Sequence, residues 1–375
     1  MTRGICRCCL RHFVFGPYKK RTVTSGGYDP HPPESHQNRA TDSSMVKTQP
    51  FQDLQVPVPG FGAMGLSMAY GPTDDTESHK TLQKAIDIGC TFWDTAVLYG
   101  AGHNESLIGD FFKKTGTRDK VFIASKCGFD CLNGQDPMTA MSNVTNKPEH
   151  IRAYIEGTKN RLGSYPDLYY LHRIDPNTPI GESVATLDEL RKAGKTKYIG
   201  LSECGVETLR KACSVAKIDA LQIEYSPWET TYEENGLIAA AKELGVAVVA
   251  YSPLGRGILS GSIKSLDDLG ETDFRRMLPR WSPVNFPNNM RIVDEFRALA
   301  EKKGTTPSQL ALAWLIAQGA IPIPGTRSGT RLEENFKGGD VDLSEEELKE
   351  LRALIEKAKP VGERYMDGPL QQLDQ

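Results

Sequence analysis

Four side chains of unlike chemistry stand at matching places in the sequence. Asp94 ends one short apolar run, within Phe92-Trp-Asp-Thr-Ala-Val-Leu-Tyr-Gly100, and Tyr99 follows five residues later in the next loop. Lys126 ends the next such run, Ile123-Ala-Ser-Lys126, and His172 ends another, Leu168-Tyr-Tyr-Leu-His172. Singly, Asp94 reads as a turn cap, His172 as a satisfied core histidine and Lys126 as a chain reaching solvent. Together, a carboxylate, a phenol, an ammonium and an imidazole at consecutive strand ends are hard to assign to packing, because charged residues are rarely buried unless paired. The chemistry they suit is carbonyl reduction. Hydride attack leaves a developing alkoxide that needs a proton, and a free tyrosine holds its proton up to a pKa of about 10. A neighbouring cation favours the phenolate and lowers that value. Lys126 is the candidate cation, Asp94 the group that keeps it charged and in place, and His172 a donor to the carbonyl oxygen. The set combines general acid catalysis with stabilisation of an oxyanion.

These positions require elements that bring strand ends together. From Val56 onward, short apolar runs alternate with amphipathic helical stretches. The strand candidates are Val58–Ala63, Thr91–Thr95, Val121–Lys126, Asp167–His172, Tyr198–Ser202, Ala220–Ile223, Val246–Tyr251 and Ile321–Pro324. Helices such as Glu77–Ile88 and Ile180–Lys192 lie between them, and Gly89, Gly194 and Gly245 follow helical stretches where a left-handed cap is needed. Strands alternating with helices imply parallel βα units. Periodicity alone fits a closed barrel or an open doubly wound sheet; in a barrel the four residues would share one rim. Two long insertions, Cys127–Lys147 and Gly255–Asn289, would overhang that rim. Gly60-Phe-Gly-Ala-Met-Gly65 fits a GxGxxG pattern, but the loop-like Ser67-Met-Ala-Tyr-Gly-Pro72 follows it where a dinucleotide fingerprint opens a helix. Pro57 and Pro59 also disfavour a central strand there.

At this point the chain resembles the aldo-keto reductase superfamily, from about Val56 to about Ala358. The FxDTAxxYG segment, the lysine ending the next strand and the Leu-His pair of the fourth carry the resemblance. Leu171-His-Arg-Ile-Asp-Pro176 is similar to the LHRxDP segment of microbial and fungal members. The resemblance implies a (β/α)8 TIM barrel with long loops over its C-terminal face, an NADPH/NADP cofactor held without a Rossmann motif, and Asp94, Tyr99, Lys126 and His172 as a catalytic tetrad. It implies Ser202 and Gln222 at the nicotinamide carboxamide and Tyr251 stacked beneath the ring. It also puts Ser252, Leu254 and Arg256 at the pyrophosphate, Gly325, Thr326, Arg327 and Arg331 at the 2′-phosphate end, and Glu334 and Asn335 at adenine. Many members carry asparagine where this chain has Glu203, and a carboxylate cannot donate as an amide does. Trp93, Met64, Trp228 and Trp281 are candidates for an apolar substrate pocket.

Composition narrows the alternatives. Of 375 residues, 25% are charged and 39% hydrophobic, with a net charge of −3, so no polyanionic partner is expected. No apolar run approaches the roughly 20 residues a membrane span needs. The eight cysteines are scattered without the ligand spacing of a zinc site, so no metal is expected. Residues 1–50 differ from the rest: up to Tyr28 they are basic and free of acidic residues, then rich in Pro, His, Ser and Asn. They read as a disordered or targeting extension, or as an upstream stretch before Met45. The barrel is expected over residues 51–360 and a tail over 361–375. The reading is an NADP-dependent reductase of a small-molecule aldehyde or ketone, cytoplasmic by default, with a mitochondrial alternative through the basic extension. The competing class is a cofactor-binding regulatory or scaffold barrel resembling potassium-channel β-subunits. Substrate identity, direction and oligomeric state stay open.

Overall fold

The computed structural model describes residues 46–68, 73–132, 137–271, 273–357 and 359–366. The N-terminal extension with Cys6, Cys8 and Cys9 lies outside them. A short antiparallel hairpin comes first, β1 (Thr48–Phe51) and β2 (Leu54–Pro57). Eight parallel strands follow: β3 (Phe61–Gly62), β4 (Phe92–Asp94), β5 (Phe122–Cys127), β6 (Leu168–Leu171), β7 (Tyr198–Ser202), β8 (Ala220–Glu224), β9 (Ala247–Tyr251) and β10 (Ile321–Pro322). They pair in chain order, and helices alternate with them. Gly60 N–H donates to the Pro322 carbonyl at 2.9 Å, Gly62 N–H to that of Pro324 at 3.2 Å, and Gly62 bridges Gly325, so the ladder closes on itself. The result is a (β/α)8 TIM barrel, and the open-sheet alternative is excluded.

Closure explains the glycines that mimic a phosphate motif. A Cβ on Gly60 would lie 2.8 Å from the Phe92 ring and carbonyl, and one on Gly62 would lie 2.7 Å from the Ile323 carbonyl. Glycine is needed there for close strand approach, and a short 3-10 turn, Met64–Leu66, follows where a dinucleotide fold would start its first helix.

Period-two alternation sorts the strand side chains. Phe92, Ala124, Tyr170, Tyr198, Ala220 and Val249 fall in one buried cluster with the hairpin's Phe51 and Val56, the interior of the barrel. Their neighbours Trp93, Ile123, Tyr169, Ile199, Leu221 and Ala250 pack outward against the helices. Counting by twos from the inward set reaches Asp94, Lys126, His172, Ser202, Gln222 and Tyr251 at the C-terminal ends. One parity rule therefore aims all of them into the mouth.

The hairpin seals the opposite end and was not foreseen from sequence. Phe51 is fully buried, in edge contacts with Phe92, Phe122 and Tyr198 at ring distances of 6.0, 5.3 and 5.2 Å. Gln52 Nε2 donates to the Asp219 carbonyl at 2.8 Å, and the Tyr198 hydroxyl donates to Asp53 at 2.6 Å. Both insertions leave C-terminal strand ends. The first holds the helix Pro137–Ser142, and the second is a chain of 3-10 turns running into the helix Phe286–Lys303. Removing the Phe51 ring leaves a hole in a sealed floor far from the mouth. Phe51→Ala should cost about 3–5 kcal/mol in urea unfolding. An unchanged midpoint would mean the hairpin does not seal the barrel.

Candidate functional site

The site begins where backbone ladders run past the strand ends. Thr95 N–H donates to the Ala124 carbonyl (2.9 Å) and Val97 N–H to that of Lys126 (3.2 Å), so the chain after β4 continues along β5. It then turns, with Tyr99 N–H donating to the Ala96 carbonyl (3.1 Å), and Gly100, Ala101 and Gly102 all take left-handed φ angles. That turn returns the Tyr99 ring over the mouth. His172 extends β6, its N–H donating to the Cys127 carbonyl at 2.7 Å. Its ring stands edge-on between Tyr99 (5.8 Å, 86°) and Phe129 (5.1 Å, 82°).

At the centre is Lys126, wholly buried. Its ammonium pairs with Asp94 Oδ1 and donates to the Thr95 carbonyl at 2.9 Å and the Tyr99 hydroxyl at 3.3 Å. An ammonium has three N–H donors, and all three have partners. The other Asp94 oxygen accepts from Gln222 Nε2 at 2.8 Å, reaching across from β8. Asp94, Tyr99, Lys126 and His172 thus share one buried cluster.

Electrostatics follow from that burial. Burial opposes the charge on Lys126, yet Asp94 and Tyr99 hold its pKa above the ordinary lysine value. Tyr99 departs from the sequence expectation. Lys126 does pull its pKa down, but burial outweighs the ammonium and Asp94 opposes it further, so the phenol is raised and keeps its proton. His172 is pushed well below 6.5, first by burial and then by Lys126 and Arg173, so its imidazole is neutral.

The remaining expected contacts are spread around the same rim. Ser202 and Tyr251 end β7 and β9, and Gln222 lies on β8 between them, in register with Ser202. Ser252 has a left-handed φ of 48°, and it and Leu254 are half-buried on the loop after β9. Gly325, Arg327 and Arg331 are exposed at the start of the helix Gly329–Phe336, with Thr326 and Glu334 half-buried and Asn335 buried. Arg331 has no carboxylate within ion-pair distance among the described residues. An exposed, unpaired arginine on the first turn of a helix opposes the macrodipole and suits a bound anion.

Arg256, expected at the pyrophosphate, is buried and held by both oxygens of Glu224, at 2.9 and 2.8 Å. The aromatic candidates also divide. Trp93 lies outside the barrel wall, fully buried and stacked on Phe112 at 5.6 Å. Trp281, in the second insertion, packs edge-on against Trp228 at 5.8 Å, with Arg275 over the one ring and Arg280 over the other. Met64 is half-buried.

Sequence reasoning missed the roof. Arg364, in the expected tail, donates to Glu203 (3.1 Å), to Glu224 (3.3 Å) and to the Tyr232 hydroxyl (2.8 Å). Glu229 pairs with Arg280 at 2.7 Å. Burial raises the Glu224 carboxyl, but Arg256 and Arg364 bring it down to about 2. Tyr365 lies beneath Arg256 (4.5 Å), and its hydroxyl meets that of Tyr251 at 3.1 Å. The only sequence signal was Glu203, a carboxylate where an amide was expected.

An eight-stranded parallel barrel with a buried Asp-Lys-Tyr-His cluster at its C-terminal mouth defines a class of α/β-barrel enzymes. The chain belongs to the aldo/keto reductase family, whose pattern matches residues 60–356, and with it to a family of oxidoreductases. It is 54% identical over 324 residues to an aldo-keto reductase of Gibberella moniliformis, spanning 86% of this chain and 97% of that one. It is 42% identical over 328 residues to the aldo-keto reductase yakc [NADP(+)] of Schizosaccharomyces pombe, spanning 86% and 95%. Among solved structures it resembles the glycerol dehydrogenase AKR11B4 of Gluconobacter oxydans, with a TM-score of 0.75 at 26% identity, covering 87% of this chain and 99% of that one.

The neutral imidazole has a consequence for stability. The unfolded chain binds a proton at His172 near 6.5 and the folded chain does not, so this stability is present above 6.5 and is lost as pH falls below it. The loss is up to about 1.4 kcal/mol per pH unit. His172→Asn should flatten the fall in urea midpoint between pH 7 and pH 5. Parallel curves for variant and wild type would show that the imidazole is already charged in the folded state.

Proposed function

We propose that this chain reduces a small-molecule aldehyde or ketone to the alcohol with NADPH, with Tyr99 as the proton donor. One observation carries the reading. The Tyr99 oxygen accepts from an ammonium whose other two N–H bonds are already used, so the phenol's own proton is left to point into the mouth.

The rim fits a dinucleotide. Ser202 and Tyr251 offer a hydroxyl and an aromatic ring at the ends of β7 and β9, on either side of β8, and Arg173, whose Nη1 lies 3.5 Å from the Ser202 hydroxyl, has a buried Nε without a partner among the described residues. Arg331 offers an unpaired cation at the far end, and the name of the Schizosaccharomyces pombe relative specifies NADP(+). Gln222 reaches this arc with one amide N–H already committed to Asp94. When bound, the cofactor supplies the hydride to the carbonyl carbon.

The chain's own residues handle the oxygen. His172, neutral, donates one N–H to the carbonyl oxygen and sets its position beside Tyr99. As the C–O π electrons move to oxygen, Tyr99 transfers its proton there and is left as phenolate. Lys126, kept charged by Asp94, lies 3.3 Å from that oxygen and stabilises the phenolate until water restores the proton. Phe129, in the first insertion, packs edge-on against His172 and limits water there.

Tyr99→Phe should lower kcat with a reactive aromatic aldehyde by roughly 10²–10⁴-fold, while the NADPH dissociation constant stays within twofold. Because burial raises the Tyr99 pKa above 10, the wild-type rate governed by this group should hold level through neutral pH and fall only above about pH 10. Wild type that binds NADPH but turns over no carbonyl in a broad panel would remove the catalytic reading.

A further inference from the structure

At the strand ends beside the buried cluster, Arg173 has no carboxylate within ion-pair distance among the described residues. The arginines of the roof are spoken for: Arg256 and Arg364 by Glu224, Arg364 also by Glu203, Arg280 by Glu229. The Arg173 Nη1 donates to the His172 carbonyl at 2.7 Å and reaches the Ser202 hydroxyl at 3.5 Å. These contacts fix one corner of the guanidinium between β6 and β7. Its Nε is shielded from solvent and has no partner.

The acid that could have answered it faces elsewhere. Glu203 follows Ser202 directly but takes a left-handed φ of 54°. Its carboxylate accepts from the Glu224 N–H (2.8 Å), the Tyr232 hydroxyl (2.8 Å) and Arg364 (3.1 Å). Burial opposes the charge on Arg173, and the neighbouring Tyr251, Tyr365 and Glu203 favour it, so it stays protonated. A buried donor without a partner is destabilising, more so when it is charged. The chain bears that cost beside the proposed proton donor and gives it no internal remedy.

We infer that Arg173 is the receptor for a planar oxygen acceptor, a carboxamide or a carboxylate, seated between His172 and Ser202. A guanidinium presents a flat fork of N–H donors that matches such groups with two bonds, which a lysine ammonium cannot do. The Ser202 hydroxyl alongside adds a third polar contact. The inference rests on the carbonyl-reductase reading for the two sources of that group: the carboxamide of the nicotinamide, or a carboxylate on the substrate.

The test compares the full-length wild type with Arg173→Gln and Arg173→Lys. Two direct binding titrations are read: NADPH by its fluorescence, and 4-formylbenzoate against its methyl ester by calorimetry. Arg173→Lys keeps the charge and removes the fork, so it stands in if the glutamine variant fails to fold. A tenfold or greater weakening for NADPH, with the preference for 4-formylbenzoate over its ester unchanged, assigns the carboxamide. An unchanged NADPH constant with a tenfold collapse of that preference assigns the carboxylate. Variants that match wild type in both titrations overturn the inference. Both readouts are binding constants, so a wild type that binds but shows no turnover defeats the reductase reading and leaves this test standing.

Discussion

A single ammonium placed where water cannot reach it sets the terms for the rest of the mouth. Burying a charge in a protein interior is costly unless it is paired and fully hydrogen-bonded. Lys126 meets that condition by drawing in the Asp94 carboxylate, the Thr95 carbonyl and the Tyr99 oxygen. Each partner then has its own requirement. Asp94 needs a second donor, and Gln222 crosses the barrel from β8 to supply it. Tyr99 must be returned over the ammonium, which takes three consecutive left-handed residues after it. His172, buried and close to two cations, is held well below its ordinary pKa and is neutral. The acid–base character of the cluster thus follows from one buried charge and the geometry that satisfies it.

The roof is a second, separate solution to the same problem. Glu203, Glu224 and Glu229 face Arg256, Arg280 and Arg364, three acids against three bases, nearly all out of water. Such arrays are weak evidence for stability, because desolvation offsets most of the attraction. They do fix geometry: a member cannot shift without leaving an opposite charge stranded. The array ties the ends of β7 and β8 to the second insertion and to residues 361–366, and through Tyr365 it reaches Tyr251.

The sequence made the barrel and the cluster readable for a common reason. Strand alternation and strand ends are local patterns, and the inward parity of Asp94, Lys126 and His172 can be counted along the chain. What was missed depends on contacts between distant residues. Arg256 has a loop context that suggests a phosphate, but Glu224 claims it from another strand end. Arg364 meets Glu224 and Glu203 at separations of 140 and 161 residues. The direction of the Tyr99 shift was misjudged because a neighbouring cation is visible in sequence and the depth of burial is not. The hairpin β1–β2 escaped notice because its strands are four residues each and carry prolines.

Arg364 and Tyr365 also impose an order on assembly. They are translated after β10, so a growing chain has every strand of the barrel before it has the cation that answers Glu203. Glu203 has its ion pair with that segment, and the Tyr251 hydroxyl meets Tyr365 there. The scaffold and its working surface are therefore encoded one after the other: the last strand ends at Pro322, and the segment laid across the mouth follows at Arg364 and Tyr365.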